Sequence, residues 1–316
     1  MLRKLYGISP KWVKKMYHAI LSNNRKNRNV TDYWTKHRVT KGIKETFKSA
    51  AESEEFFYWR SLQYLGYLEL MPVNQATDKV VLDYGCGPGH DSAGFLMCSK
   101  PKRLVCADVS PTSLAIAKER VQLHEAKSVE FVQIDESNGT LPFEDNTFDI
   151  IHCSGVLHHI KEHKKVIQEF KRIMKPAGYA QIMVYNYNSL FMHLYVNYSL
   201  RILEGRFKGL GNREAFAVST DGPGCPIADC YTPDEYMSFI QGVEGLQCEF
   251  TGSAISAKEM NFLPLRYDAL KDIRLSRESR EFLYSLTFND RGLPLYNGAV
   301  AGGNACYRVT KLTRSL

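Results

Sequence analysis

The sequence has no long uninterrupted apolar run. The longest candidate, residues 190–203, is interrupted by His193, Asn197 and Arg201, whereas a membrane-spanning helix needs about 20 predominantly apolar residues. Near the N-terminus there is also no apolar run of the length typical of a signal peptide. These absences predict a cytoplasmic protein without a membrane span.

The cysteines show no disulfide or zinc signature. Eight cysteines in 316 residues do not suggest a disulfide framework, and Cys86, Cys106 and Cys153 fall in or beside predicted buried strands. Cys225 and Cys230 are separated by four residues, which is a poor zinc spacing, and no histidine-rich segment accompanies them. We therefore expect reduced thiols and no metal site.

Acidic residues are scarce at the N-terminus. Residues 1–48 hold 13 Lys or Arg but only two acids, although the net charge of the whole chain is only +7. Between Ile8 and Leu21 apolar residues recur at helical spacing with lysines between them, which predicts a basic amphipathic helix. Its apolar face could pack on the core. Alternatively, residues 1–28 could make peripheral contact with an anionic membrane, and nucleic acid is a less favoured partner.

The most informative stretch is VVLDYGCGPGHD, residues 80–91. Val80 to Leu82 suit a strand that is buried on both faces, and Asp83 ends it. Gly85, Gly87 and Gly89 follow at alternate positions, where glycine lets the backbone approach a ligand closely. The stretch therefore predicts a strand, a ligand-binding turn and a helix.

The spacing of this turn argues against a dinucleotide. Such sites use GxGxxG/A with free N–H groups facing a pyrophosphate, whereas here Pro88 has no N–H and His90 occupies the sixth position. Asp83 instead suits a ligand that carries an ammonium group. The stretch resembles motif I of the class I S-adenosylmethionine-dependent methyltransferases, which implies that Asp83 and the three glycines bind this cofactor.

Acids at the ends of the next two predicted strands extend this pattern. Asp108, followed by Val109, ends the second strand, where a carboxylate can accept hydrogen bonds from both ribose hydroxyls of an adenosine. It could otherwise cap the helix that follows. After the third strand, the resemblance implies that Asp135 or Glu136 lies beside the adenine amino group. The loop here, IDESNGTLPF, is longer than the common form.

Residues 141–160, LPFEDNTFDIIHCSGVLHHI, resemble the segment through strand four of methyltransferases related to the quinone-biosynthesis C-methyltransferases. The resemblance implies that Ser154 borders the methionine end of the cofactor. Ligands of open α/β sheets lie outside the carboxyl ends of the strands, so these strand ends should converge on one crevice. No NPPY-like tetrapeptide follows, which argues against methylation of an adenine amine.

Three residues are candidate catalytic groups. His158 or His159, next to the predicted cofactor site, could take a proton from a hydroxyl nucleophile, and Asp221 could serve as the base instead. The alternative for each histidine is a local structural hydrogen bond.

The segment after the fifth predicted strand should cover the substrate. Its long irregular part, residues 207–231, is of a kind that is usually functional or disordered. Candidate substrate contacts in and before this segment are Tyr185, Asn186, His193 and Tyr231. Aromatic residues of the N-terminal extension could form a lid over the cofactor, and the candidates are Tyr33, Trp34, Tyr58 and Trp59.

We therefore predict an α/β fold with a seven-stranded, mostly parallel, Rossmann-like methyltransferase sheet. A basic, aromatic-rich helical extension occupies residues 1–71. The methyltransferase domain occupies residues 72–316, with a substrate-cap insertion at about 187–235 and a second insertion between the last two strands. The predicted activity is methyl transfer from S-adenosylmethionine to an oxygen or carbon of a small organic molecule.

Three alternatives stay open at this stage. The chain could be a nucleic-acid or membrane-surface binding protein that acts through its basic N-terminus. It could be an arsenic or other thiophilic methyltransferase, if Cys153, Cys225 and Cys230 converge. A nicotinamide oxidoreductase is disfavoured by Pro88 and His90.

Overall fold

The computed structural model describes residues 29–38, 42–124, 128–135, 140–222 and 224–312. The N-terminal part of this range is helical, with α1 (Val30–Lys36), α2 (Ala50–Ser61), the two-residue strand β1 (Tyr64–Leu65) and α3 (Tyr67–Leu70). Ser49 caps α2 by accepting a hydrogen bond from the N–H of Glu52. The predicted basic helix Ile8–Leu21 lies outside the described residues.

Alternating strands and helices follow, as expected for a parallel sheet. They are β2 (Val80–Tyr84), α4 (His90–Cys98), β3 (Arg103–Asp108), α5 (Pro111–Gln122), β4 (Val129–Gln133), β5 (Phe148–Ser154), α6 (His163–Ile173) and β6 (Met174–Tyr185). A 3₁₀ turn, Leu157–His159, comes directly after β5. Ser110 is the N-cap of α5, where its hydroxyl accepts from the N–H of Ser113, and Pro111 is the first residue of the helix.

Two insertions interrupt the last part of the chain. The first contains a π-helical segment, Phe191–Leu203, followed by α7 (Asn212–Ser219) and α8 (Pro233–Gln241). The second follows β7 (Leu246–Ser256) and contains α9 (Ala257–Met260), the 3₁₀ turn Leu263–Leu265, α10 (Arg266–Lys271), α11 (Arg277–Tyr284) and the strands β8 (Thr287–Phe288), β9 (Pro294–Tyr296) and β10 (Ala299–Val300). The chain returns to the main sheet through β11 (Asn304–Lys311).

The main sheet has the order β1-β7-β11-β6-β5-β2-β3-β4. Pairs from β4 through β6 are parallel, whereas β11 is antiparallel to both β6 and β7. The predicted fold class is confirmed, although the sheet has eight strands instead of seven. The extra strand is β1, which pairs with the edge of β7 through Tyr64 and Leu65. The N-terminal extension is therefore joined to the sheet.

Successive residues of the central strands point to opposite faces, and both faces are covered. On one face Leu82 belongs to a buried cluster with Phe170 of α6 and Tyr236 of α8. On the other face Val81 belongs to a cluster with Phe57 and Phe95, from α2 and α4. Helix α2 therefore seals one face of the sheet beside the glycine turn.

Candidate functional site

A cavity of about 310 Å³ lies at the carboxyl ends of the parallel strands, within the usual size range of small-molecule sites. Asp83, Asp108 and Ser154 line it from the ends of three strands. The N-terminal extension contributes Trp34 and Arg60 to its wall. The crevice predicted from strand ends is thus present, and part of its wall comes from outside the sheet.

The glycines of the turn have different surroundings. A Cβ atom added at Gly85 would lie 2.2 Å from Cγ2 of Val156, so this glycine is required by packing. One added at Gly87 would meet no atom within 4 Å, so the backbone here faces open cavity. One added at Gly89 would lie 3.0 Å from Cα of Ala117. Gly85 and Gly87 line the cavity, whereas Gly89 is buried where α4 meets α5.

The two strand-end carboxylates are held in place by hydrogen bonds. Asp108 accepts from the N–H groups of Gly87 and Ser110, each at 2.8 Å, and burial raises its pKa against the effect of those bonds. Asp83 accepts from the hydroxyl of Ser92, and burial raises its pKa to about 6. Asp108 thus fixes the turn and at the same time faces the cavity.

The predicted adenine contact involves Asp135 or Glu136, and of these two residues the structure describes only Asp135. Val109 and Ile134 line the cavity and give it an apolar wall next to Asp108. Asp135, which follows Ile134, is exposed and is not among the lining residues. Glu136 lies outside the described residues. The geometry therefore does not bring Asp135 into the site in this structure.

Ser154 belongs to a hydrogen-bonded network that the sequence analysis missed. The Tyr67 hydroxyl lies 2.7 Å from Oγ of Ser154 and donates to Oδ2 of Asp91 at 2.6 Å. Nε2 of His152 is 2.9 Å from the same Asp91 oxygen. Burial would raise the pKa of Asp91, but the hydrogen bond and charge of His152 outweigh it and hold that pKa well below its usual value. Asp91 is therefore an ionised group in the cavity wall.

Two arginines of the N-terminal extension were also missed. Arg60 and Arg38 line the cavity. Arg38 makes a two-pronged contact with Glu45, and that hydrogen bond raises its pKa. Asp91 could have been suspected, because it stands in the first turn of the helix after the glycine turn. There was no comparable indication in the sequence for Arg38 and Arg60, because neither arginine lies near a recognisable motif.

His159 and Asp221 face each other in the cavity wall. Nε2 of His159 is 3.7 Å from Oδ2 of Asp221, and Nδ1 of His159 is 2.6 Å from the carbonyl oxygen of Ile227. The Tyr185 hydroxyl donates to Oδ2 of Asp221 at 2.8 Å, and the ring of Trp34 lies 4.7 Å from that of His159. All four side chains line the cavity.

His158, by contrast, is not a lining residue. It is fully buried, neither of its ring nitrogens has a hydrogen-bond partner, and its ring packs against that of Tyr185 at a centroid distance of 3.8 Å and a tilt of 32°. Burial holds its pKa well below the ordinary value. Its surroundings are those of a neutral packing residue, so the geometry does not support it as a base.

Three predicted substrate contacts also lie away from the cavity wall. Nδ2 of Asn186 is within hydrogen-bond distance of Gly302 O and Ser253 Oγ. His193 contacts Ser279 and stacks on Phe282 in the cluster of the second insertion. Tyr231 packs against the rings of Tyr236 and His163. Of the four substrate candidates, the structure brings only Tyr185 to the cavity.

Comparison with known proteins identifies a domain in the central part of the chain. Residues 82–182 match the family model described as "Methyltransferase domain". An uncharacterized methyltransferase of Schizosaccharomyces pombe is 35% identical over 107 residues, which are 33% of this chain and 38% of that protein. A ubiquinone/menaquinone biosynthesis C-methyltransferase of Escherichia fergusonii is 33% identical over 102 residues, 32% of this chain and 40% of that protein.

Residues 82–182 form a class I S-adenosylmethionine-dependent methyltransferase domain. The matched region spans only about two fifths of the length of these curated relatives. The fold extends further. A methyltransferase in complex with the Haloferax volcanii Trm112 methyltransferase activator superposes with a TM-score of 0.52 at 16% identity, covering 91% of this chain and 100% of that one.

S-adenosylmethionine is the cofactor of this methyltransferase domain, and the residues present fit it. The open backbone at Gly87 leaves room for a ligand beside the turn. Asp108 and the apolar pair Val109 and Ile134 suit a ribose with an attached base. The anionic groups Asp83 and Asp91 suit a cationic end. The hydrogen-bonding groups along this part of the cavity do not require a ligand that carries a phosphate.

The alternative functions receive no support. In the part of the chain that the structure describes, no helix is long and apolar enough to cross a membrane, and residues 1–28 lie outside that part. Cys153, Cys225 and Cys230 belong to three different packing clusters, so the structure does not gather the three thiols. The methyltransferase domain match likewise gives no support to a nicotinamide enzyme.

Proposed function

We propose that the whole protein transfers a methyl group from S-adenosylmethionine to an oxygen or carbon of a small organic molecule. The observation that carries this proposal is the continuity of one cavity, which runs from the methyltransferase turn at Gly85 and Gly87 to a second wall formed by His159, Asp221, Tyr185 and Trp34. The first wall belongs to the cofactor and the second to the acceptor.

When bound, the cofactor supplies an activated methyl group on a sulfonium. The protein then has to align the acceptor and exclude water. His159 and Asp221 are the groups that promote loss of the acceptor proton, because both line the same cavity as the glycine turn. Tyr185 orients Asp221 through its hydroxyl. His158 and His193 have no part in this proposal.

The N-terminal extension serves as part of the lid. Trp34 lies over His159, and Arg60 stands at the cavity wall beside the turn. Tyr58 and Trp59, on the same extension, are 45% and 47% exposed and do not line the cavity. We therefore assign the lid to α1 and to the cavity-facing end of α2. This assignment supports treating residues 1–71 as an extension and the segment of about 187–235 as the acceptor cap of the methyltransferase domain.

The proposed function is tested by calorimetry and by label transfer. S-adenosylhomocysteine should bind the wild-type protein, and Asp108→Ala should weaken it roughly 30- to 150-fold through the loss of a charged hydrogen-bond acceptor. Glu119→Ala, at an exposed position of α5, is the matched control. Methyl-labelled S-adenosylmethionine should then label members of a panel of phenols, quinols and sugars. No binding heat, or equal affinity after Asp108→Ala, would contradict the cofactor assignment.

A further inference from the structure

A mixed set of metal-binding side chains lies at the acceptor wall, with two of them in the cavity lining and Cys225 outside it. His159, Asp221 and Cys225 each offer one ligand atom, and these three atoms lie within 4.8 Å of one another; this is the one such group found among the described residues. We propose that this group binds a divalent transition metal ion of the zinc type. The inference concerns the same wall as the proposed function and rests on it for the ion's role in methyl transfer, although metal binding can be measured independently.

His159 is oriented as a ligand. Its Nδ1 is 2.6 Å from the carbonyl oxygen of Ile227, to which it donates, so the lone pair is on Nε2, and Nε2 is the atom that faces Asp221. Metal-bound histidines commonly donate their other ring N–H to a backbone carbonyl in this way, because the bond fixes both tautomer and ring orientation. The carboxylate of Asp221 is fixed similarly by the hydroxyl of Tyr185.

Cys225 is the third member of the set, and its sulfur contacts the His159 ring on the Nδ1 side. It is fully buried, its thiol donates to the carbonyl of Ile227 at 3.1 Å, and its sulfur is 3.8 Å from Nδ1 of His159. A buried thiolate is costly without a nearby cation, so the thiol should lose its proton only as the ion binds. Metal binding should therefore release a proton.

The spacing requires only a local contraction. Zinc bonds of about 2.0–2.3 Å place the ligand atoms of a tetrahedral ion roughly 3.3–3.8 Å apart, which is about 1 Å closer than the widest separation here. Asp221 and Cys225 both lie in the connection between α7 and α8, whereas His159 lies in the 3₁₀ turn after β5. Three protein ligands with one exchangeable position are typical of catalytic sites, whereas structural sites have four.

The exchangeable position faces the acceptor. His159 and Asp221 line the cavity, whereas Cys225 lies behind them. This arrangement suits an acceptor with an ionisable hydroxyl. Its O–H bond breaks, the proton passes to solvent, and the anion is held by the ion. The anion's electron pair then forms the bond to the methyl carbon, while the electrons of the methyl–sulfur bond return to sulfur and give S-adenosylhomocysteine.

The test uses Co²⁺ as a spectroscopic probe of chelator-treated full-length protein. One equivalent should bind, with an intense thiolate-to-cobalt charge-transfer absorption and release of a proton. Cys225→Ser should abolish the absorption, and His159→Ala should weaken binding at least 10-fold. Cys230→Ser is the matched control, because Cys230 is also buried but is not in the group, and it should keep the absorption.

Absence of Co²⁺ binding, or an unchanged spectrum in Cys225→Ser, would overturn the proposal. If Cys225→Ser does not fold, Asp221→Asn provides the second variant, and affinity equal to wild type would count equally against the site. Calorimetry with S-adenosylhomocysteine on the same samples separates the two inferences. Cofactor binding without Co²⁺ binding contradicts only the metal site, whereas Co²⁺ binding without cofactor binding contradicts only the proposed function.

Discussion

The two walls of the cavity are built in different ways. The cofactor wall uses residues at the ends of neighbouring strands, such as Asp83, Asp108 and Ser154, whose positions follow from the sheet itself. The acceptor wall joins His159, just after β5, to Asp221, more than 60 residues later. The first wall is thus fixed by the ends of neighbouring sheet strands, whereas the second depends on the connection between α7 and α8.

If the walls have separate roles, removing His159 should impair turnover and leave cofactor binding intact. We expect His159→Ala to lower kcat roughly 10²- to 10⁴-fold, the usual contribution of a group that manages proton transfer. The affinity for S-adenosylhomocysteine, measured by calorimetry, should change less than about 3-fold. Parallel losses of turnover and cofactor affinity would show that the walls are not separable.

Within the cofactor wall, two glycines should respond differently to alanine. Gly85→Ala places a Cβ against Val156 at a positive φ of 73°, and we expect it to reduce the free energy of unfolding by about 2–4 kcal/mol. Gly87→Ala meets no neighbour and should cost only about 1–2 kcal/mol, but its methyl group should obstruct the cofactor.

Urea denaturation and calorimetry of the two variants measure these effects. Equal stability losses would mean that Val156 moves aside at little cost. Unchanged cofactor affinity in Gly87→Ala would mean that the ligand does not approach this part of the turn.

The π-helical segment of the first insertion should behave as structure where His193 packs against Ser279 and Phe282 of the second insertion, with no catalytic role. Burial lowers the pKa of His193 to about 3, whereas in the unfolded chain a histidine titrates near 6.5. The unfolded state therefore binds a proton between these values that the folded state does not, so the stability contributed by neutral His193 is present above pH 6.5 and is lost as the pH falls. From pH 7 to pH 5 this group alone should cost about 2 kcal/mol.

The check compares urea denaturation of wild type and His193→Gln at pH 7 and pH 5. The variant should lose less stability on acidification, and its turnover at pH 7 should stay within about 3-fold of wild type. The same loss in both proteins would contradict the assigned titration. A large fall in the turnover of His193→Gln would instead support the prediction that His193 contacts the substrate.

The smallest expected effect concerns the lid. Trp34→Ala removes a ring that packs 4.7 Å from the ring of His159. Such aromatic contacts contribute about 0.5–1.5 kcal/mol, so we expect the KM of the acceptor to rise roughly 2- to 10-fold. Trp59→Ala, an exposed tryptophan of the same extension, is the control and should leave KM unchanged. Equal effects of the two substitutions would argue against a lid at α1.

The sequence was informative where function depends on local pattern. A buried strand, a glycine turn and acids at successive strand ends predicted the sheet and most of the cofactor wall, because the ends of parallel strands meet at one edge. The helix Asn212–Ser219 was missed, since the glycine-rich surroundings suggested an irregular loop. The strand Tyr64–Leu65 was also missed, because two residues are too few to show a periodicity.

The acceptor wall was predicted less well for a physical reason. Its members come together only through tertiary packing, so neither the spacing of Cys225 from Cys230 nor the adjacent pair of histidines revealed the partners of His159. His158 and His159 are neighbours in sequence, yet the ring of His158 packs against that of Tyr185 and His159 faces the cavity. Asn186 and His193 were candidates by position after β6, but they point into packed surroundings instead.

The most direct test of the two-wall arrangement is a crystal structure of the protein with S-adenosylhomocysteine. The ribose should contact Asp108, and the sulfur should face Gly155 and Val156 with the side chains of His159 and Asp221 beyond it. A cofactor bound in another place, or with its sulfur directed away from His159, would contradict the arrangement.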